Sequence, residues 1–173
     1  MKPLFAFCLV AVLHILPVSL TKIPHFEVEN IDVDLKENPF FNKVEVKPYK
    51  KGYDSLMDIT IDLKDTVTDD VTVIWKGILG HSEVFNIEYP FSQVFHYEDF
   101  VNAMLRILQP PEKIESKGPM YGPNVYRFSG YTAPQEFMHS VGNGKLKVVG
   151  CLYIENRFNC FLKIDIDGNI FRT

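Results

Sequence analysis

VVGCLYIENRFNCFLKIDI, residues 148–166, carries Cys151 and Cys160 on two alternating segments, 146–154 and 158–166, that flank a short polar break. A two-residue turn at Glu155 and Asn156 pairs Ile154 with Arg157, Tyr153 with Phe158, Leu152 with Asn159, and Cys151 with Cys160. Counting outward from the turn makes the cysteines a non-hydrogen-bonded pair, whose Cα atoms lie about 4.5 Å apart, within disulfide range. On this register they share a core-facing side with Val149, Tyr153, Phe158, Leu162 and Ile164. A structural zinc site needs four ligands in close Cys or His pairs, and no histidine lies within ten residues of either cysteine. The stretch therefore reads as a disulfide-stapled hairpin, and the chain as a β protein of an oxidising compartment.

The first twenty residues agree with that compartment. Lys2 precedes an apolar run from Leu4 to Leu16, and Pro17, Val18 and Ser19 form a small, broken segment after it. The run falls short of the about 20 residues a membrane-spanning helix needs, so residues 1–20 read as a secretory signal peptide, removed with Cys8. Residues 21–173 are expected as one domain, secreted and extracellular, with only Cys151 and Cys160 left to pair. Seventeen basic side chains against twenty-two acidic ones remain there, a balance that argues against nucleic-acid binding.

Three further segments alternate. Met57, Ile59, Ile61 and Leu63 face away from Asp58, Thr60 and Asp62; Val71, Val73 and Trp75 oppose Thr72 and Lys76; Phe85, Ile87 and Tyr89 oppose Asn86 and Glu88. These are half-buried antiparallel strands, linked through Asp69-Asp70 and through 77–82. Residues 26–35 and 41–46 add two weaker strands, and Asp167-Gly168 reads as a hairpin turn returning 169–172 as a short edge. In HYEDFVNAMLRILQPP, residues 96–111, Tyr97, Val101, Met104, Leu105 and Leu108 recur at helical spacing, with Glu98 and Asp99 in the first turn and Pro110-Pro111 ending it. The proline- and glycine-rich stretch 110–134 reads as a long rim loop. The fold expected is all-β, an antiparallel two-sheet sandwich or β-cup of the immunoglobulin-like kind, with one inserted amphipathic helix.

Catalytic groupings are missing from the sequence. His25, His81, His96 and His139 are scattered and read as surface or cap residues. The serines lack a GxSxG elbow, and the acidic pairs Asp32 with Asp34 and Asp58 with Asp62 fall at spacings of a wet strand face. Asp165 to Asn169 lacks the remaining ligands of a calcium loop, and Gly142 to Lys145 lacks phosphate-loop spacing. No enzyme activity, metal or cofactor is expected.

FNKVEVKPYKKGYDSLMDITIDLKDTVTDDVTVIWKG (41–77), EVFNIEYPF (83–91), YEDFVNAMLRIL (97–108) and GKLKVVGCLYIENRFNCFLKIDI (144–166) together resemble a family of small secreted insect proteins. That family comprises the chemosensory CheB-type proteins and a related domain of unknown function, and is similar to the ganglioside-activator branch of the MD-2-related lipid-recognition (ML) superfamily. The resemblance spans about 26–171. Members carry more cysteines, one of them near the helix, where this chain has Phe95 and Phe100. It implies a β-cup whose sheets splay around an apolar cavity for a lipid, cuticular hydrocarbon or pheromone. The lining would come from Ile59, Ile61, Val73, Trp75, Phe85, Ile87, Met104, Leu108, Tyr153, Phe158 and Leu162, and a receptor or membrane surface would meet the cavity rim. The alternative is a secreted salivary, seminal or venom protein with a solid core that engages a receptor through an exposed apolar patch, with Pro119, Tyr121, Pro123, Tyr126 and Tyr131 supplying that patch.

Overall fold

The computed structural model describes residues 22–91, 93, 108–109, 123–133, 135–154 and 159–173. They form an all-β sandwich of two antiparallel sheets. In chain order the elements are β1 (Pro24–Leu35), β2 (Phe41–Lys51), β3 (Asp54–Leu63), β4 (Val71–Leu79), β5 (Ser82–Pro90), β6 (Leu108–Gln109), β7 (Asn124–Tyr131), a short helix α1 (Gln135–Ser140), β8 (Gly144–Ile154) and β9 (Leu162–Arg172). One sheet has the order β1-β9-β8-β4-β5 and the other β2-β3-β7-β6. The first strand pairs with the last along its whole length, from Pro24 opposite Arg172 to Leu35 opposite Leu162, with a bulge between Val28 and Asn30.

The alternation read from the sequence places Met57, Ile59, Ile61 and Leu63 of β3 and Val71, Val73 and Trp75 of β4 as expected, whereas on β5 Phe85 and Tyr89 are half-buried and Ile87 is exposed. Val71, Val73, Phe41, Leu63, Tyr126, Phe128, Leu152 and Leu162, drawn from both sheets, share one buried cluster with Phe40, Phe91 and Phe161. The inner face of the five-stranded sheet continues beyond that cluster. There Phe26, Leu146 and Ile170 are covered by Met138 of α1 and by Val141. Arg172 fixes this cover by donating to the carbonyls of Met138 and Val141 and to the Asn143 side chain, which satisfies carbonyls that a helix end leaves unpaired.

Several expectations are corrected by packing. Gly77 belongs to β4 and is no part of the turn, which falls on Gly80 (φ 61°) and His81. A Cβ on Gly77 would meet the Phe85 ring at 2.1 Å, so the glycine is there to let the ring cross the strand. Asp167-Gly168 likewise makes no hairpin. β9 runs straight through it, and a Cβ on Gly168 would lie 2.5 Å from the Phe26 ring. Residues 124–131, assigned to a rim loop, form strand β7, with Tyr126 and Phe128 turned into the core. Leu108, expected at the end of the helix, lies in β6 opposite Phe128. The rest of that helix, residues 97–107, lies outside the described residues. α1, six residues long, is too short to announce itself by periodicity.

The disulfide joins Cys151 and Cys160, with a Cα separation of 5.7 Å. Its setting differs from the expected hairpin. Cys151 pairs with Lys163, and Leu152 with Leu162. An odd shift of register exchanges the faces of a strand: Leu152 and Leu162 are buried at 6% and 4% exposure, while Cys151 lies on the outer face beside Ile74 and Lys163. Burying that leucine pair sets the register, and the disulfide ties the segment before β9 onto the outside of the sheet. The turn residues Glu155 and Asn156 lie outside the described residues.

Candidate ligand site

The structure separates the lining residues expected from the sequence. Ile59 and Ile61 on β3 and Val73, Trp75 and Leu162 on the opposite sheet are brought together between the sheets. Phe85 and Ile87 extend this surface toward the outer edge, because they pair across β5 with Gly77 and Trp75. Tyr153 is not part of it. It occupies the opposite face of β8, where its hydroxyl donates to the Glu88 carboxylate. Met104 and Phe158 lie outside the described residues, and Leu108 is placed on β6.

Cover over this surface is uneven. β2 and β3 pack near β1, and Tyr131 of β7 lies near Tyr89 of β5. Val73 there is 2% exposed, Trp75 is half-buried and Ile87 is 46% exposed. The Trp75 ring crosses Gly150, where a Cβ would approach it to 2.5 Å. A glycine under an indole keeps the ring close to the sheet, where it packs against the central cluster.

Residues that the sequence left out also contribute. Tyr89 on β5 and Tyr131 on β7 pack against the central cluster from opposite sheets. Burial pushes the Tyr131 phenol above its ordinary range, and the nearby Tyr89 phenol adds to the shift. Tyr131 thus places a desolvated phenol against the apolar cluster, the mixture typical of small-molecule sites. The proline- and glycine-rich setting of Tyr126 and Tyr131 points to a rim loop; the signal that places them on a strand is the alternation of Tyr126 and Phe128 with Arg127.

Two open concavities occur among the described residues, and neither is lined by the expected residues. One of about 370 Å³ lies beside the disulfide, against Lys36, Asn38, Ile154 and Phe161. The other, about 340 Å³, lies between Glu29, Ile78, Lys145 and Asp167.

Of the surface or cap roles expected for the histidines, His25 takes no surface position. It is 8% exposed, with Nδ1 3.0 Å from Asp54 Oδ1 and Nε2 2.9 Å from Thr173 Oγ1. Its ring also contacts Tyr53 and Phe171. A hydroxyl, an imidazole and a carboxylate in this order also form nucleophilic relays, but this group closes the end of the sheet, where Ile23 and Thr173 exchange backbone hydrogen bonds, and neither concavity borders it. Among the described residues no three His, Cys, Asp or Glu side chains gather as a metal site, and no helix is long and apolar enough to cross a membrane.

No protein-family model matches the chain, and a search of curated proteins finds no match.

Proposed function

We propose that this is a secreted, non-catalytic binder of a hydrophobic small molecule, a lipid, cuticular hydrocarbon or pheromone, held against the inner face of β4 and β5. The observation that carries the reading is the graded cover along one face, from buried Val73 through half-buried Trp75 to exposed Ile87. An apolar surface that continues out of a core toward solvent gains free energy when an apolar ligand covers it. Tyr89 and Tyr131 would supply the few polar contacts. The disulfide fits secretion, since such bonds persist in oxidising compartments.

Native mass spectrometry of the secreted protein, followed by organic extraction, tests this reading. A stoichiometric lipid or hydrocarbon lost on Trp75→Ala is the expected result. A clean apo mass that a lipid panel leaves unchanged would refute it. The second reading, a solid-core interaction protein, is favoured by the tight packing of Val71, Phe128 and Leu63, each at most 2% exposed, and that apo outcome would support it.

A further inference from the structure

We propose that the ligand carries a neutral oxygen-bearing group, an ester, alcohol or carbonyl, which accepts a hydrogen bond from the Tyr131 hydroxyl. This inference rests on the ligand reading above and names the class of molecule that the site takes. Tyr131 stands opposite Met57, and Phe128 opposite Ile59. Ser129 and Gly130 of β7 therefore face the single residue Asp58 of β3, which makes a β-bulge. A strand without it would turn residues 128 and 130 inward and 131 outward. The extra residue reverses that order, so Tyr131 joins Phe128 on the inner face and packs against the central cluster.

The bulge is held from outside. Gly130 has φ 76°, a backbone state that favours glycine. Asp58, exposed on the outer face, accepts from Ser129 Oγ at 2.8 Å and from the Gly130 N–H at 3.1 Å. Packing alone gives no reason for a hydroxyl here, since phenylalanine would fill the same space without desolvating a polar group. The Tyr131 hydroxyl makes no hydrogen bond among the described residues, and none of their charged side chains acts on its ionisation, which burial and the Tyr89 phenol alone displace. What it lacks is an acceptor, and a plain hydrocarbon offers none. A carboxylate would accept, but burying one without a cation beside it costs far more than the hydrogen bond returns. A neutral oxygen on an apolar chain meets both conditions. Tyr89, opposite Val73 on β5, places that oxygen at the inner end of the surface formed by Val73, Trp75 and Ile87.

Fluorescence titration of the single tryptophan tests this with tridecane, with decyl acetate, which has the same chain length, and with dodecanoate at neutral pH. Decyl acetate is expected to bind most tightly. Tyr131→Phe should weaken it about five- to ten-fold, the worth of one hydrogen bond, and leave tridecane unchanged. Asp58 is a positioning residue: Asp58→Ala should weaken decyl acetate alone, and Asp58→Asn, which keeps an acceptor oxygen, should restore it. Circular dichroism with thermal melting checks that each variant is folded. Equal losses for tridecane and decyl acetate on Tyr131→Phe, no loss for decyl acetate, or a preference for dodecanoate would overturn the proposal and leave the ligand reading standing. Binding of none of the three would overturn both together.

Discussion

The indole of Trp75 crosses the backbone of Gly150 so closely that a Cβ there would stand 2.5 Å from the ring. Gly150→Ala must therefore push Trp75 away from the sheet. The expected cost is about 1–3 kcal/mol, the range for overpacking a filled site. Urea unfolding, together with the near-ultraviolet dichroism of the single tryptophan, measures both effects; an unchanged spectrum would show that the ring does not rest there.

Ile87 separates ligand binding from stability. It is 46% exposed, so Ile87→Ser should leave unfolding free energy within about 0.5 kcal/mol of the parent while weakening retention of a hydrophobic ligand several-fold. Tyr153→Phe, on the opposite face, should change neither. If Tyr153→Phe lowered ligand retention as much as Ile87→Ser, the site would have been assigned to the wrong face.

Removing the disulfide should destabilise without unfolding. Cys151→Ser with Cys160→Ser frees a short loop, for which chain entropy gives about 2–3 kcal/mol. Because Cys151 lies on the outer face, the core should stay packed. Denaturation of the variant and of the oxidised parent provides the comparison, and loss of native dichroism in the variant would contradict this picture.

The raised Tyr131 phenol sets a sign for alkaline behaviour. Its folded pKa exceeds the unfolded value of 10.0, by burial first and by Tyr89 second. The folded state then holds the proton more tightly than the unfolded chain. Stability from this group is complete below that unfolded value and is lost as pH rises through the folded one. Melting temperatures taken across this alkaline range should fall less steeply for Tyr131→Phe than for the parent; parallel curves would exclude Tyr131 as a cause.

His25 ties together β1, the β2–β3 hairpin and Thr173. His25→Leu removes both hydrogen bonds and should cost about 1–3 kcal/mol, and Thr173→Val, which removes one, should cost less. Equal losses in denaturant unfolding would mean that neither the Asp54 hydrogen bond nor the ring contacts with Tyr53 and Phe171 contribute anything beyond the Thr173 bond.

Two-sheet architecture was legible in the sequence wherever one face of a strand is polar. Asp58, Thr60 and Asp62 identify the inner face of β3 without ambiguity, and so Ile59 and Ile61 were placed correctly. β8 offers no such contrast. Val148, Gly150 and Leu152 alternate with Val149, Cys151 and Tyr153, so both faces look apolar and only a register could choose between them. The register assumed from the cysteines chose the wrong one, carrying Tyr153 into the site. Glycine misled in another way: Gly77 and Gly168 were read as turns because conformational freedom is visible in a sequence, whereas an aromatic ring arriving from another strand or from elsewhere in the core is not.

The pairing of β1 with β9 has a consequence for how the chain reaches this state. The larger sheet cannot gain its β1 edge until Leu162–Arg172 is available, since Pro24 meets Arg172 and Leu35 meets Leu162. Pairing between segments so far apart in the chain implies slow folding, because loop-closure entropy must be lost before the pairing rewards it. During synthesis the first strand emerges long before β9, its neighbour in that sheet, with Phe26 and Val33 uncovered. The nascent chain thus carries an unpaired template for aggregation, and its yield should depend on chaperones that occupy the first strand until the last one arrives.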